Sequence, residues 1–153
     1  MTGESDLITL GWREWVSLPQ LGLDRIKAKI DTGARTSALH AFELRTFDES
    51  GDTWVEFKMH PVQRDLETIV VCRAVVIDER EVRDSGGHRE LRPVIETPVR
   101  VGTHQWPIEI TLTSRDDMLF RMLLGRTAMR HRATVDPSRS YLVGKKKKKR
   151  KPK

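Results

Sequence analysis

Short β-prone runs recur along most of this chain, and they constrain its fold more than any other feature. They lie at residues 7–10, 14–18, 25–30, 53–60, 68–77, 93–101, 107–113 and 122–124. Gly, Pro or Asp separates neighbouring runs at a spacing of roughly 8–15 residues, which is typical of an all-β barrel or sandwich. Several runs alternate polar and apolar residues, as half-buried strands do. One short helix over residues 126–131 and a last strand over 140–143 complete the prediction.

The length allows a single domain, and the charge separates that domain from a tail. At 153 residues the chain can build one core but not two comfortable ones. The last nine residues hold eight of the 28 basic residues, so the remainder has 20 basic against 22 acidic residues. We therefore divide the chain into a folded domain over residues 1–144 and a basic tail over 145–153. Repulsion between its like charges predicts that the tail is disordered.

The tail and the composition also bear on partners and location. A block of lysines binds polyanions through counterion release, so we expect the tail to contact RNA or the ribosome, with a solubilising terminus as the alternative. No apolar run approaches the ~18 residues that span a bilayer, so no membrane partner is expected. Residues 1–6 lack the basic-then-apolar pattern of a secretory signal. The single cysteine, Cys72, lies in an apolar run, which predicts a buried thiol in a cytoplasmic protein.

One stretch carries candidate chemistry, because Asp31, Thr32, Gly33 and Ala34 directly follow the run that ends at Ile30. An apolar residue, Asp-Thr-Gly and a small residue form the pattern by which aspartic proteases place a carboxylate at the end of a strand. Gly33 permits two backbones to approach where a Cβ would collide, and Thr32 can hydrogen-bond to a second copy of the loop. The chemistry needs two carboxylates that share one proton. Since the chain supplies only one aspartate in a convincing pattern of this kind, the pattern predicts a homodimer.

A second motif begins about 90 residues later, at Met122-Leu123-Leu124-Gly125-Arg126. It consists of large apolar residues, a glycine and the start of the predicted helix. In aspartic proteases such a segment crosses behind the catalytic loop and packs against it. The two motifs together are far more specific than either one alone.

With both motifs, the chain resembles the retropepsin-like aspartic proteases. Residues 31–34 match their catalytic triplet and the Ala after it, and residues 123–126 match their second motif. The chain is still more similar to a bacterial retropepsin-like family historically labelled ATP-dependent zinc proteases, whose opening resembles residues 11–19 and 28–40. The resemblance covers residues 7–143. It implies an acid-protease barrel with one lobe per chain, a homodimer with one aspartate from each chain, and peptide-bond hydrolysis.

The resemblance also implies site residues and partners. Asp31, Thr32 and Gly33 would be the catalytic triplet, and Ala34, Arg35 and Arg126 would contact substrate. A ligase of the ATP-grasp, RimK type, which adds glutamates to the C-terminus of a ribosomal protein, is the implied partner. An acidic protein tail as substrate would suit the two arginines. Retroviral members carry an acidic residue where this chain has Arg35, so Arg35 and Arg126 must find other carboxylates or face an anionic ligand.

A glycine-rich segment supplies the last candidate site residues. Asp84-Ser85-Gly86 is similar to a second catalytic triplet, but no apolar residue precedes it and it lies only 53 positions after Asp31. We expect Ser85, Gly86 and Gly87 to form the tip of a flap that closes over substrate. A plain surface hairpin is the alternative.

Neither a metal nor a cofactor is predicted, in spite of the label given to the similar family. The five histidines (His40, His60, His88, His104 and His131) lack a His-Glu-x-x-His motif and the paired spacing of a zinc site. No phosphate-binding Gly-x-x-x-x-Gly-Lys loop is present. Two other classes of function stay open. One is a non-catalytic adaptor that regulates a ligase or binds a ribosomal tail, and the other is an RNA-associated β-domain steered by the basic tail.

Overall fold

The chain forms a β-barrel with a sheet extension. The computed structural model describes residues 7–83, 86–114 and 119–144, with the backbone alone for Arg83. Within these ranges the strands are β1 (Ile8–Gly11), β2 (Arg13–Leu18), β3 (Leu23–Ile30), β4 (Ser37–His40), β5 (Phe42–Glu49), β6 (Asp52–Met59), β7 (Val70–Arg83), β8 (Arg89–Val101), β9 (His104–Thr113), β10 (Met122–Leu124) and β11 (Ala133–Asp136). The same ranges contain a 3-10 turn at Pro19–Leu21 and one short helix, α1 (Arg126–Met129).

Six strands close the barrel in the order β2, β3, β10, β4, β9 and β8. Closure comes from β2, which pairs along β3 on one side and with β8 at Ser17 and Arg100 on the other. The β3–β10 and β4–β9 pairs are parallel, and the other neighbours are antiparallel. Strands β7, β6 and β5 continue the sheet outward from β8. The all-β barrel with one short helix that the sequence predicts is therefore confirmed.

Apolar side chains from the barrel and from its extension fill one continuous core. The largest fully buried ones are Phe57, Leu10, Leu18, Leu23, Ile26, Leu39, Met59, Ile95, Ile110, Leu112, Met122 and Leu124. Burying an aliphatic or aromatic side chain of this size contributes about 2 kcal/mol to folding. Cys72, from the extension, is 2% exposed and belongs to the same cluster, which confirms the predicted buried thiol.

A two-stranded arm projects from this body. Residues 70–75 of β7 pair with β6, and from Val76 onward the strand pairs with β8, with a bulge between Val76 and Asp78. Strand β8 joins β9 only from Val94 onward, so residues 79–83 and 89–93 have each other as strand partners. The arm therefore extends beyond the closed barrel. Its tip includes Gly86 and Gly87.

Several boundaries differ from the sequence-based prediction. Strands β4, β5 and β11 were not predicted, and the predicted strand over residues 140–143 is wrong. The N–H groups of Leu142 and Val143 donate to the carboxylate of Glu14 instead of to a strand. The helix ends at Met129 rather than at His131, because Arg130 leaves helical geometry with a ψ of 126°. His131, which follows, has a positive φ of 64°. The basic tail and residues 1–6 lie outside the described residues.

Candidate active site

Asp31 lies directly after β3, where the second sequence motif runs alongside it. The parallel pairing of β3 with β10 places Leu124 opposite Ile30. The N–H of Asp31 donates to the carbonyl oxygen of Leu124 at 2.9 Å, and the N–H of Ile30 donates to the carbonyl oxygen of Trp12, also at 2.9 Å. The predicted packing of the two motifs against each other is thus confirmed.

Residues 31–34 form a tight turn. The N–H of Gly33 donates to Oδ1 of Asp31 at 2.9 Å, and the N–H of Ala34 donates to the carbonyl oxygen of Asp31 at 3.3 Å. A Cβ added to Gly33 would lie 3.2 Å from Oδ1 of Asp31, so a side chain there would press on the carboxylate. Asp31 and Ala34 are half-buried, and Thr32 is exposed. The turn therefore holds the aspartate at the surface of a single chain.

Gly125 allows the second motif to lie against the loop that follows the triplet. A Cβ added to Gly125 would lie 2.6 Å from the carbonyl carbon of Thr36 and 3.0 Å from the carbonyl oxygen of Ala34. Because both are backbone atoms, neither can rotate away. The N–H of Gly125 donates to the buried hydroxyl of Ser37 at 3.0 Å, and the N–H of Arg126 donates to Ala34 at 2.8 Å.

The two arginines that follow the motifs have different surroundings. Nη1 of Arg126 donates to the carbonyl oxygens of Thr32 at 3.1 Å and of Gly33 at 3.2 Å. Arg126 thus binds the backbone of the triplet loop, an arrangement that the sequence did not predict. Arg35 is exposed, and among the described residues it makes no side-chain hydrogen bond or ion pair. Both arginines are exposed, so the difference between them is that the Arg126 guanidinium is hydrogen-bonded to the triplet loop.

The structure brings together all of the predicted site residues except those of the flap. Of these, Ser85 lies outside the described residues. Gly86 and Gly87 lie at the tip of the β7–β8 arm, where Gly87 has a φ of 82° that favours glycine. The predicted hairpin therefore exists, and its closure over Asp31 stays a prediction.

Ser37 is a site residue that sequence reasoning missed. Its hydroxyl is buried and satisfies the N–H of Gly125, which would otherwise be buried without a partner. A serine that begins a short strand gives no signal of this role. Only the closeness of Ser37 to the triplet could have suggested it.

Within the described part of the chain, no group of three or more His, Cys, Asp and Glu side chains could hold a metal ion. Among the helices of the described ranges, none has the length and apolar character needed to cross a membrane.

The curated relatives of this chain are named for another activity. It is 46% identical over 135 residues to a protein from Shewanella halifaxensis named probable alpha-L-glutamate ligase. Proteins of that name from Desulfotalea psychrophila and Parasynechococcus marenigrum are also 46% identical, over 135 and 137 residues. These matches cover 88–90% of this chain but only 29–30% of the relatives. The chain therefore spans about three tenths of the length of the relatives it matches.

A solved structure and a family model match most of the chain. The crystal structure of Lpg0085 from Legionella pneumophila, a protein of unknown function, superposes with a TM-score of 0.75 at 24% identity, covering 88% of this chain and 97% of the other. At that identity the likeness shows the fold alone. The family model described as retropepsin-like aspartic endopeptidase RimB matches residues 9–146. The chain belongs to the RimB-like family of retropepsin-like aspartic endopeptidases.

Proposed function

We propose that this protein is an aspartic peptidase that works as a homodimer, with one Asp31 from each chain. The observation that carries the proposal is the turn at residues 31–34. It holds the Asp31 carboxylate by the N–H of Gly33, on a loop fixed from behind by Leu124 and Arg126. A loop fixed in this way has the rigidity that a catalytic group needs.

The reaction would proceed through a water molecule held between the two carboxylates, which share one proton. The unprotonated carboxylate takes a proton from the water as the oxygen attacks the peptide carbonyl carbon. The protonated carboxyl donates a hydrogen bond to the carbonyl oxygen. Collapse of the tetrahedral intermediate breaks the C–N bond, and the departing amine receives the proton that the carboxylate took from the water. Thr32, which is exposed in the single chain, would hydrogen-bond across the dimer to brace the two loops.

The substrate we propose is a peptide or protein with an acidic, glutamate-rich C-terminal tail. Arg35 supports this assignment, because it lies four positions after Asp31 in the sequence and its guanidinium is exposed. Among the described residues, that guanidinium makes no hydrogen bond or ion pair. A guanidinium binds carboxylates through two parallel hydrogen bonds. Arg126 would act indirectly, since its Nη1 already holds the triplet loop. The tip of the β7–β8 arm, with Gly86 and Gly87, would close over the bound peptide.

A second candidate is an adaptor that keeps this fold and binds or regulates a glutamate ligase without cleaving peptides. The observation that favours it is the set of relatives named probable alpha-L-glutamate ligase, in which the matched region is about three tenths of a longer chain. A separate ligase of the RimK type would then be a partner of this chain in the cytoplasm. The two candidates are compatible, because one protein can both cleave a peptide and bind the enzyme that makes that peptide.

Wild type and Asp31→Asn should be incubated with glutamate-tailed peptides and with neutral peptides of equal length. The proposal expects cleavage by wild type and none by Asp31→Asn, which keeps the shape of the aspartate. Ligase binding by both proteins, without cleavage by either, would favour the adaptor. Deletion of residues 145–153 should leave cleavage intact and remove binding to RNA or the ribosome, if the basic tail has that role.

A further inference from the structure

A buried carboxylate outside the candidate active site joins the two ends of the described chain. Glu14, on β2, is completely buried. Its Oε2 accepts the N–H of Gly11 at 2.6 Å and of Leu142 at 2.9 Å. Its Oε1 accepts the N–H of Val143 at 3.0 Å and of Gly144 at 2.6 Å. One side chain thus satisfies four backbone donors, three of them consecutive near the C-terminal end of the described residues.

Further contacts fix the same C-terminal segment, residues 139–144, along the start of β2. The N–H of Trp12 donates to Arg139 at 2.8 Å, and the N–H of Trp15 donates to Gly144 at 2.8 Å. The segment lies so close that a Cβ on Gly144 would collide with the carbonyl oxygen of Trp15. A Cβ on Gly11 would lie 2.8 Å from Cα of Ser140. This proximity is what allows the Glu14 carboxylate to reach three consecutive N–H groups.

On the side away from the C-terminal segment, the start of β2 supports β3, the strand that leads into Asp31. Trp12 accepts the N–H of Ile30, the residue directly before Asp31, and β2 pairs with β3 from Arg13 and Lys29 onward. Residues 11–15 therefore lie between the C-terminal segment and the strand that leads into the triplet. The backbone of Trp12 donates to one side and accepts from the other.

We propose that Glu14 is a positioning residue for Asp31, acting through the backbone of residues 11–13. This inference rests on the proposed function, because it takes Asp31 to be the catalytic group. Two backbone acceptors, on Trp12 and Leu124, hold the N–H groups of Ile30 and Asp31. Without the Glu14 carboxylate, the backbone around Trp12 would be less firmly held, and its hydrogen bond with Ile30 would weaken. The hydrogen bond between Asp31 and Leu124 would remain. The triplet loop would then be misaligned rather than unfolded.

The test compares Glu14→Gln with Val55→Ala. Glutamine keeps the shape of Glu14 but replaces one acceptor oxygen with an NH2 donor that faces backbone N–H groups. Val55 is fully buried in β6, which pairs with neither β2 nor β3, so Val55→Ala lowers global stability without touching this support. Denaturant concentrations are chosen so that both variants have the same free energy of unfolding. Amide hydrogen exchange at Ile30 and Asp31, and kcat and KM for an acidic peptide, are then measured.

We expect exchange at Ile30, whose N–H donates to Trp12, to be at least about tenfold faster in Glu14→Gln than in Val55→Ala, and exchange at Asp31, whose N–H donates to Leu124, to change less. We expect kcat to fall by about tenfold to a hundredfold, with KM little changed, because a displaced catalytic group slows the chemical step more than binding. Glu14→Asp, which keeps a carboxylate, should recover part of both losses, and it replaces Glu14→Gln if that variant does not fold. Equal exchange at Ile30 in the two variants, or an unchanged kcat, would overturn the inference.

The two proposals can fail separately. If Asp31→Asn does not reduce cleavage, the proposed function is wrong, and the kinetic comparison no longer applies. The comparison of amide hydrogen exchange still tests the inference in that case, because exchange reports how firmly the loop is held and does not depend on its having a catalytic role.

Discussion

The carbonyl oxygen of Thr32 accepts a hydrogen bond from Nη1 of Arg126 at 3.1 Å, although the two residues are 94 positions apart. The same nitrogen also reaches the carbonyl oxygen of Gly33. The arginine that begins α1 therefore ties down the turn that carries Asp31. Its role in this chain is to hold backbone, whereas its sequence position suggested contact with a carboxylate or an anionic ligand.

Replacing Arg126 by alanine should lower kcat for acidic and neutral peptides alike, because the triplet loop loses a support that no substrate shares. Since the guanidinium is exposed, its hydrogen bonds should contribute about 1 kcal/mol to the free energy of unfolding. Steady-state kinetics and urea denaturation measure the two effects. Arg130→Ala, at the other end of the helix, is the control and should change neither. A loss confined to acidic peptides would show that Arg126 binds substrate instead.

Arg35→Ala should give the opposite pattern. With an exposed guanidinium removed, KM for a glutamate-tailed peptide should rise by about three- to tenfold, and KM for a neutral peptide should stay the same. The difference should shrink as salt is added, because salt screens exposed charges. Arg25→Ala, an exposed cation at the far end of β3, serves as the control. If Arg35→Ala cleaves the acidic peptide at the wild-type rate, the proposed anionic contact is wrong.

Gly125→Ala should destabilise the protein by about 2–3 kcal/mol, since the added methyl group would meet backbone of Thr36 and Ala34. The strain falls next to the triplet, so activity should be lost even where the protein stays folded. Chemical denaturation gives the free energy of unfolding. Gly51→Ala is a matched control, because that site has open space and only a φ of 84° to oppose a side chain. Its cost should be about 1 kcal/mol. Equal costs at the two positions would contradict the close approach at Gly125.

Burial raises the pKa of the Cys72 thiol to about 12, from an ordinary value of 9.0. The folded protein therefore keeps a proton that the unfolded chain releases as the pH rises above 9, so Cys72 favours unfolding increasingly from pH 9 toward 12. Below pH 9 this contribution is absent. The free energy of unfolding should fall more steeply from pH 8.5 to 10.5 in wild type than in Cys72→Ala, in which the other titrating groups are unchanged. If the free energy of unfolding falls with pH at the same rate in both proteins, the raised pKa of the Cys72 thiol is contradicted.

The sequence predicted those parts of the fold that depend on local patterns. Clean alternation located β6 and β9, and the paired motifs placed Leu124 beside Asp31. Strand β5 was missed because a register shift between Phe42 and Arg45, with a φ of 51° at Glu43, interrupts its alternation. The predicted strand over 140–143 failed because the side chain of Glu14 takes the N–H groups of Leu142 and Val143. Contacts between a side chain and distant backbone, such as those of Glu14, Ser37 and Arg126, leave no periodic signal.

The central claim is that each active site needs Asp31 from two chains, and subunit mixing tests it most directly. Wild type and Asp31→Asn are mixed in equal amounts, allowed to exchange subunits, and assayed at constant total concentration. If both aspartates are required, only wild-type pairs are active, and the rate should fall to about a quarter of the wild-type rate. A rate of about half, as expected for chains that act singly, would contradict the account.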